Sequence, residues 1–146
     1  MVVIAAVDRS ERAKKAVKEA VEIASAFDDI VHVVHVLSRS EFVELEQTEV
    51  QKTGRAIDMD RIRNHAGKLA ERASEGVDAD VDIEYVGLVG DASEKILDYA
   101  DKQEARYIVV GPRKKSPTGK VLFGSVSQQV LLNSNCPVVV TMTSSS

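Results

Sequence analysis

Four short apolar runs set the frame: VVIAAV (Val2 to Val7), IVHVVHVL (Ile30 to Leu37), RYIVVG (Arg106 to Gly111) and PVVVTM (Pro137 to Met142). They are rich in β-branched residues, too short for core helices, and largely without polar alternation. The first three read as strands buried on both faces, and the fourth as the last strand. Strands of that kind belong to parallel sheets, and parallel neighbours need long crossovers, usually helical. The chain must therefore supply helices between its strands.

It does. Ser10 is placed to cap a first helix, with the Glu11 charge at its positive end. Ala13, Ala16, Val17, Ala20, Ala24 and Phe27 fall on one face of that helix, and Asp28-Asp29 end it. Residues 38–58 are polar with weak periodicity, and read as an unusually long connection. A helix is predicted from Met59 to Glu75, with Ile62, Ala66, Leu69, Ala70 and Ala73 inward and Gly76 as its stop. VDIEYV (Val81 to Val86) alternates, with Val81, Ile83 and Tyr85 apolar and Asp82 and Glu84 polar, as suits a strand near the sheet edge. Asp91 with Glu94 caps a helix whose inward face is Ile96, Leu97 and Ala100. A last helix runs from Ser125 to Asn133, carrying Val126, Val130 and Leu131, before the final strand. The order β-α-β-α-β-α-β-α-β predicts an α/β fold with a mostly parallel sheet and helices on both faces. It fits one domain over residues 1–146.

Composition removes several functions. A net charge of −4 gives no general attraction to nucleic acid or an anionic membrane. Three Tyr, three Phe and no Trp leave no platform for stacking bases. Cys136, the single cysteine, has no partner for a disulfide and sits in an apolar run as a buried, inert thiol. No apolar stretch is long enough to span a bilayer and no signal peptide opens the chain, so a cytoplasmic location is expected.

In open α/β sheets ligands bind beyond the carboxyl ends of the strands, where strand order reverses. Those ends carry Asp8, Leu37 to Ser38, Gly87 to Gly90 and the segment from Gly111 onward. The last is the richest: GPRKKSPTGKVLFGS, Gly111 to Ser125. It is not a Walker A loop. Seven residues separate Gly111 from Gly119 where the motif has four, Val121 stands where the Mg²⁺-binding hydroxyl belongs, and the loop follows the fourth strand rather than the first. The Gly-rich dinucleotide fingerprint is absent as well, because VDRSER contains no glycine. What remains is Gly111 at a strand end, Gly124-Ser125 at a helix start, and the cations Arg113, Lys114, Lys115 and Lys120 between. Two readings fit: a polyphosphate held between loop and helix N-terminus, or an exposed basic loop with turn residues and a cap.

The run G111-x2-K114-x9-G124-S125 resembles the G-x2-G-x9-G-[ST] signature of ATP-binding members of the universal stress protein A family. VVIAAVDRSERAKKAVKEAVEIA, VHVVHVL, VGDASEKILDYADKQEARYIVVG and CPVVVT resemble the family's other segments, so the likeness covers nearly all of residues 1–142. It implies a five-stranded parallel sheet in the order 3-2-1-4-5, with Asp8 and Gly111 facing across one crevice. By the same resemblance Ala6 and Asp8 lie around the adenine and ribose, and Val36 lies beside the adenine ring. Val110 and Gly111 form the turn under the ribose, and Gly124, Ser125 and Val126 open the phosphate-binding helix, with the Ser127 hydroxyl in the same turn. The second glycine of the signature is Lys114 here; it and Arg113 offer charge to the phosphates in place of close backbone approach. The implied ligand is ATP, with or without Mg²⁺. The implied assembly is a homodimer through strand 137–142.

No general base is placed to activate water, so a nucleotide-binding regulatory protein is the leading reading rather than a dedicated enzyme. Slow ATP hydrolysis or autophosphorylation is the rival, with Ser116, Ser125 or Ser127 as acceptors. A dimeric interaction module without nucleotide is a third. A phosphoacceptor receiver needs clustered acids that Asp8 alone does not supply, and a flavodoxin needs a phosphate cradle after the first strand. His32 and His35 lie on opposite faces of one strand and cannot share a metal. His65 lies on a helix, Asp58 and Asp60 are helix-start charges, and Glu41, Glu44, Glu46 and Glu49 form a solvated acidic loop.

Overall fold

The computed structural model describes residues 1–56, 58–111, 114–115 and 121–142. The elements are β1 (Val2–Ala6), α1 (Ala13–Phe27), β2 (Ile30–Leu37), α2 (Arg39–Thr53), α3 (Met59–Ala73), β3 (Ile83–Val89), α4 (Ala92–Gln103) and β4 (Tyr107–Val110). A short hairpin, β5 (Lys114–Lys115) and β6 (Val121–Leu122), then α5 (Ser125–Asn133) and β7 (Val138–Val140), complete the chain.

The main sheet has the order β3-β2-β1-β4-β7. All four strand pairs are parallel, with Val2 opposite Ile30, Val3 opposite Tyr107, Val31 opposite Ile83 and Ile108 opposite Val138. Leaving out the hairpin strands, this is the expected order 3-2-1-4-5. Connections to the left of β1 and to its right leave opposite faces, so the switch point lies between β1 and β4.

Alternation along the strands divides the core. Val3, Ala5, Val31, Val33 and Val109 face α1 and α3, while Val2, Ile4, Val34, Val36, Ile108 and Val110 face α4 and α5. Each fully buried Val or Ile contributes about 1.5–3 kcal/mol. Alanines let α1 lie close on the sheet: Ala16, Ala20 and Ala24 are essentially inaccessible. The same alternation sends His32 towards Tyr99 on α4, with its Nδ1 2.6 Å from the hydroxyl, and His35 to the other face.

Several expectations need correction. Residues 38–58 are not a long connection; α2 fills most of them. Ser38 and Glu41 form a capping box, and Gly54 closes the helix in the left-handed region at φ 71°. No α2 residue is buried, which is why no apolar stripe betrayed it; Phe42 and Leu45 only lean on Leu37, Ile62 and Ala66. Glu41, Glu44, Glu46 and Glu49 are thus helical, and Glu49 pairs with Arg61 at 2.8 Å.

Ser10 does not cap α1. Its N–H and hydroxyl both turn back to Asp8 Oδ1, at 2.8 and 2.6 Å, so the cap position falls to Arg12, which makes no side-chain cap bond. Phe27 is not inward but exposed, stacked under the Arg106 guanidinium at 4.2 Å. Strand β3 starts two residues later than expected and runs through Gly87. Tyr85, counted on the apolar face, is exposed. Gly87 stays in the strand because α3 crosses it closely: a Cβ there would stand 2.2 Å from the Arg63 carbonyl oxygen. Cys136 is half-buried rather than buried. Strand β7 lies at the sheet edge, the place that the order 3-2-1-4-5 gives the last strand.

Candidate functional site

At the switch point the strand ends open into a cavity of about 410 Å³. That is within the usual range for small-molecule sites. Of the residues singled out from sequence, Ala6, Asp8, Val36, Val110, Gly111, Gly124, Ser125, Val126 and Ser127 all line it. Arg113 lies outside the described residues, as do Ser116, Gly119 and Lys120. The backbone of Lys114 is in β5, paired with Leu122. Extended backbone of this kind accepts lysine as readily as glycine, so the departure from the signature imposes no left-handed turn at this position.

The floor is made by strand ends. Val110 O accepts from the Thr141 N–H at 2.8 Å, which fixes β4 against the chain after β7. A Cβ on Gly111 would stand 3.3 Å from Thr141 Oγ1, so glycine keeps the floor open. Ser127 Oγ donates to Gly111 O at 3.1 Å and ties the first turn of α5 to that floor. Gly124 is the N-cap of α5, in extended conformation and without a side-chain cap bond. The first-turn N–H groups of a helix have no intrahelical partners, and with the helix dipole they suit an anion.

The opposite wall is the β1–α1 loop. Asp8 holds its loop through Ser10, so its carboxylate is already positioned before any ligand arrives. His35 donates from Nδ1 to the Val7 carbonyl at 3.0 Å, pinning the residue before Asp8. Arg9 bridges to Glu41 at 2.9 Å, and Glu41 also accepts from Ser38 Oγ at 3.0 Å. The loop is thereby fastened to α2. Arg9, Arg12, His35, Ser38 and Glu41 line the cavity too. Ser38-x-x-Glu41 carried a legible signal, the capping box. Arg9 and Arg12 carried none, since their direction depends on the Asp8–Ser10 turn. Among the described residues no group of three or more His, Cys, Asp or Glu side chains is placed to hold a metal ion. No helix among them is long and apolar enough to cross a membrane.

A parallel sheet in this order, with an open cavity at its switch point, defines a Rossmann-like α/β protein. The sequence profile of the universal stress protein family matches residues 1–141. A universal stress protein of Methanocaldococcus jannaschii is 30% identical over 134 residues, 91% of this chain and 76% of the relative. The structure of a universal stress protein from Archaeoglobus fulgidus is 31% identical and superposes with a TM-score of 0.64, covering 95% of this chain and 96% of the other. The universal stress protein from the same organism in complex with dAMP is 27% identical, with a TM-score of 0.61 over 95% of this chain and 94% of that one. The chain belongs to the universal stress protein family.

Proposed function

We propose that this protein binds an adenine nucleotide, ATP foremost, in the switch-point cavity and acts as a nucleotide-dependent regulatory dimer in a stress response. The observation that carries the reading is convergence. Nine residues chosen for nucleotide contact, spread from Ala6 to Ser127, line one cavity of suitable size. The dAMP complex of a related universal stress protein supports an adenine nucleotide as the ligand class. On this reading Val36 packs on the base, Asp8 and Gly111 receive the ribose, and the α5 N-terminus receives phosphate, with Arg113 and Lys114 adding charge. Any Mg²⁺ is held through the nucleotide's own phosphates, a common arrangement for this ion.

The dimer proposal uses strand 137–142. Strand β7 is at the sheet edge, and Met142 beyond it is half exposed. An edge of this kind is suited to pairing with a second copy. Isothermal titration with ATP, ADP and AMP tests the nucleotide reading. Binding heat is expected for the unaltered protein and its loss for Gly124→Val, which puts a branched side chain at the phosphate end. Absence of heat with all three nucleotides would defeat it.

A further inference from the structure

We propose that Arg12 binds the ligand's phosphate and is the residue by which the crevice distinguishes a nucleotide from a nucleoside; this rests on the nucleotide reading above. Arg12 lines the cavity, and its Nε is buried without a hydrogen-bond partner among the described residues. A guanidinium nitrogen withdrawn from water and left unpaired is costly, and such groups are normally answered by an anion.

The described cations of the same loop and helix start have partners. Arg9 pairs with Glu41 at 2.9 Å, Lys14 with Glu11 at 4.0 Å, and Lys15 reaches the Met142 carbonyl at 3.4 Å. Arg12 has no anionic partner among the described residues. Its place adds to the cost. It is the N-cap of α1, whose first turn has no acidic residue, so its charge meets the positive end of a helix dipole. An anion in the cavity relieves both penalties at once.

The surroundings say where that anion sits. The Arg12 carbonyl oxygen is 3.8 Å from the position a Gly111 Cβ would take, and Gly111 O in turn accepts from Ser127 in the first turn of α5. Arg12 and the uncapped α5 N-terminus therefore border the same floor residue. The carboxylates on the cavity wall do not compete: Glu41 is engaged by Arg9 and Ser38, and Asp8 by Ser10. A planar fork of N–H donors matches two phosphate oxygens and offers little to an uncharged ribose. The ligand chemistry is thus a phosphate ester of a nucleoside.

The test is isothermal titration of adenosine, AMP and ATP into the unaltered protein, Arg12→Gln and Arg12→Lys, with circular dichroism as the folding check. AMP is expected to bind at least about tenfold tighter than adenosine to the unaltered protein. Arg12→Gln should weaken AMP and ATP by roughly ten- to a hundredfold and leave adenosine unchanged. Arg12→Lys, keeping the charge but losing the fork, should fall between. Should Arg12→Gln not fold, Arg12→Lys decides alone, by a several-fold loss for AMP and none for adenosine. Unaltered AMP affinity in the folded variants, with AMP bound by the parent, overturns the role of Arg12 and leaves the crevice reading standing. Failure of the parent to bind adenosine, AMP or ATP overturns both.

Discussion

Gly87 and Gly67 meet where α3 crosses β3, yet they answer to different constraints. At Gly87 a Cβ would overlap the Arg63 carbonyl oxygen at 2.2 Å and the Gly67 nitrogen at 2.5 Å, both backbone atoms. Gly87→Ala must push the helix off the sheet, at about 2–3 kcal/mol by urea unfolding. At Gly67 the nearest atom is 3.8 Å away, so alanine fits. Gly67→Ala should be neutral or stabilising by up to about 1 kcal/mol through helix propensity. Two buried titratable groups act at acid pH. The Arg106 guanidinium holds the buried Asp29 carboxyl below its ordinary value. Burial lowers His32 below its ordinary value, partly opposed by Glu84. Both folded-state values are depressed. Stability from His32 is complete above about pH 6.5, and that from Asp29 above about pH 4; each is lost as pH falls through the folded value. Asp29→Asn should cost on the order of 1–3 kcal/mol at neutral pH and flatten the decline below about pH 4, as read by denaturant titrations across pH.

The helices differ in what holds them. For α1, α3 and α4 an inward stripe of small or branched residues is buried against the sheet, so periodicity revealed them. For α2 nothing is buried, and its ends do the work: the Ser38–Glu41 box, the Gly54 cap and the ion pairs to Arg9 and Arg61. A helix of that kind is invisible to a search for apolar faces and visible only to a search for caps. Ser38→Ala should therefore cost about 1 kcal/mol locally. Amide exchange in α2 should quicken, while the melting temperature, set by the core, moves little. Loss of protection across β1 or β2 as well would contradict this division. The α1 start teaches the converse lesson. Ser10 has the right chemistry for a cap, but the Asp8 carboxylate two residues earlier competes for it and wins.

For the whole molecule, the apolar runs were enough to find β1, β2 and β4, because strands buried on both faces carry their signal in every residue. The cavity was legible in part. Residues at strand ends and at the α5 start follow from fold rules and from the family's spacing, whereas Arg9 and Arg12 are set by one turn. The hairpin β5–β6 inside the glycine-lysine loop had no signal, since two-residue strands have no period to read. Edge position makes β7 the element through which two copies should pair. Light scattering at micromolar concentration should give twice the chain mass of 15.9 kDa, and Val139→Pro, by breaking β7, should lower it. A monomeric mass for the unaltered protein would remove the proposed assembly. On the proposed reading, one adenine nucleotide occupies the switch-point crevice. Amide chemical-shift mapping on addition of ATP tests it most directly. The largest shifts are predicted at Asp8, Val36, Gly111 and Ser125 to Ser127, with the far ends of the strands unmoved; an unchanged spectrum, or shifts confined to residues away from these, would contradict it.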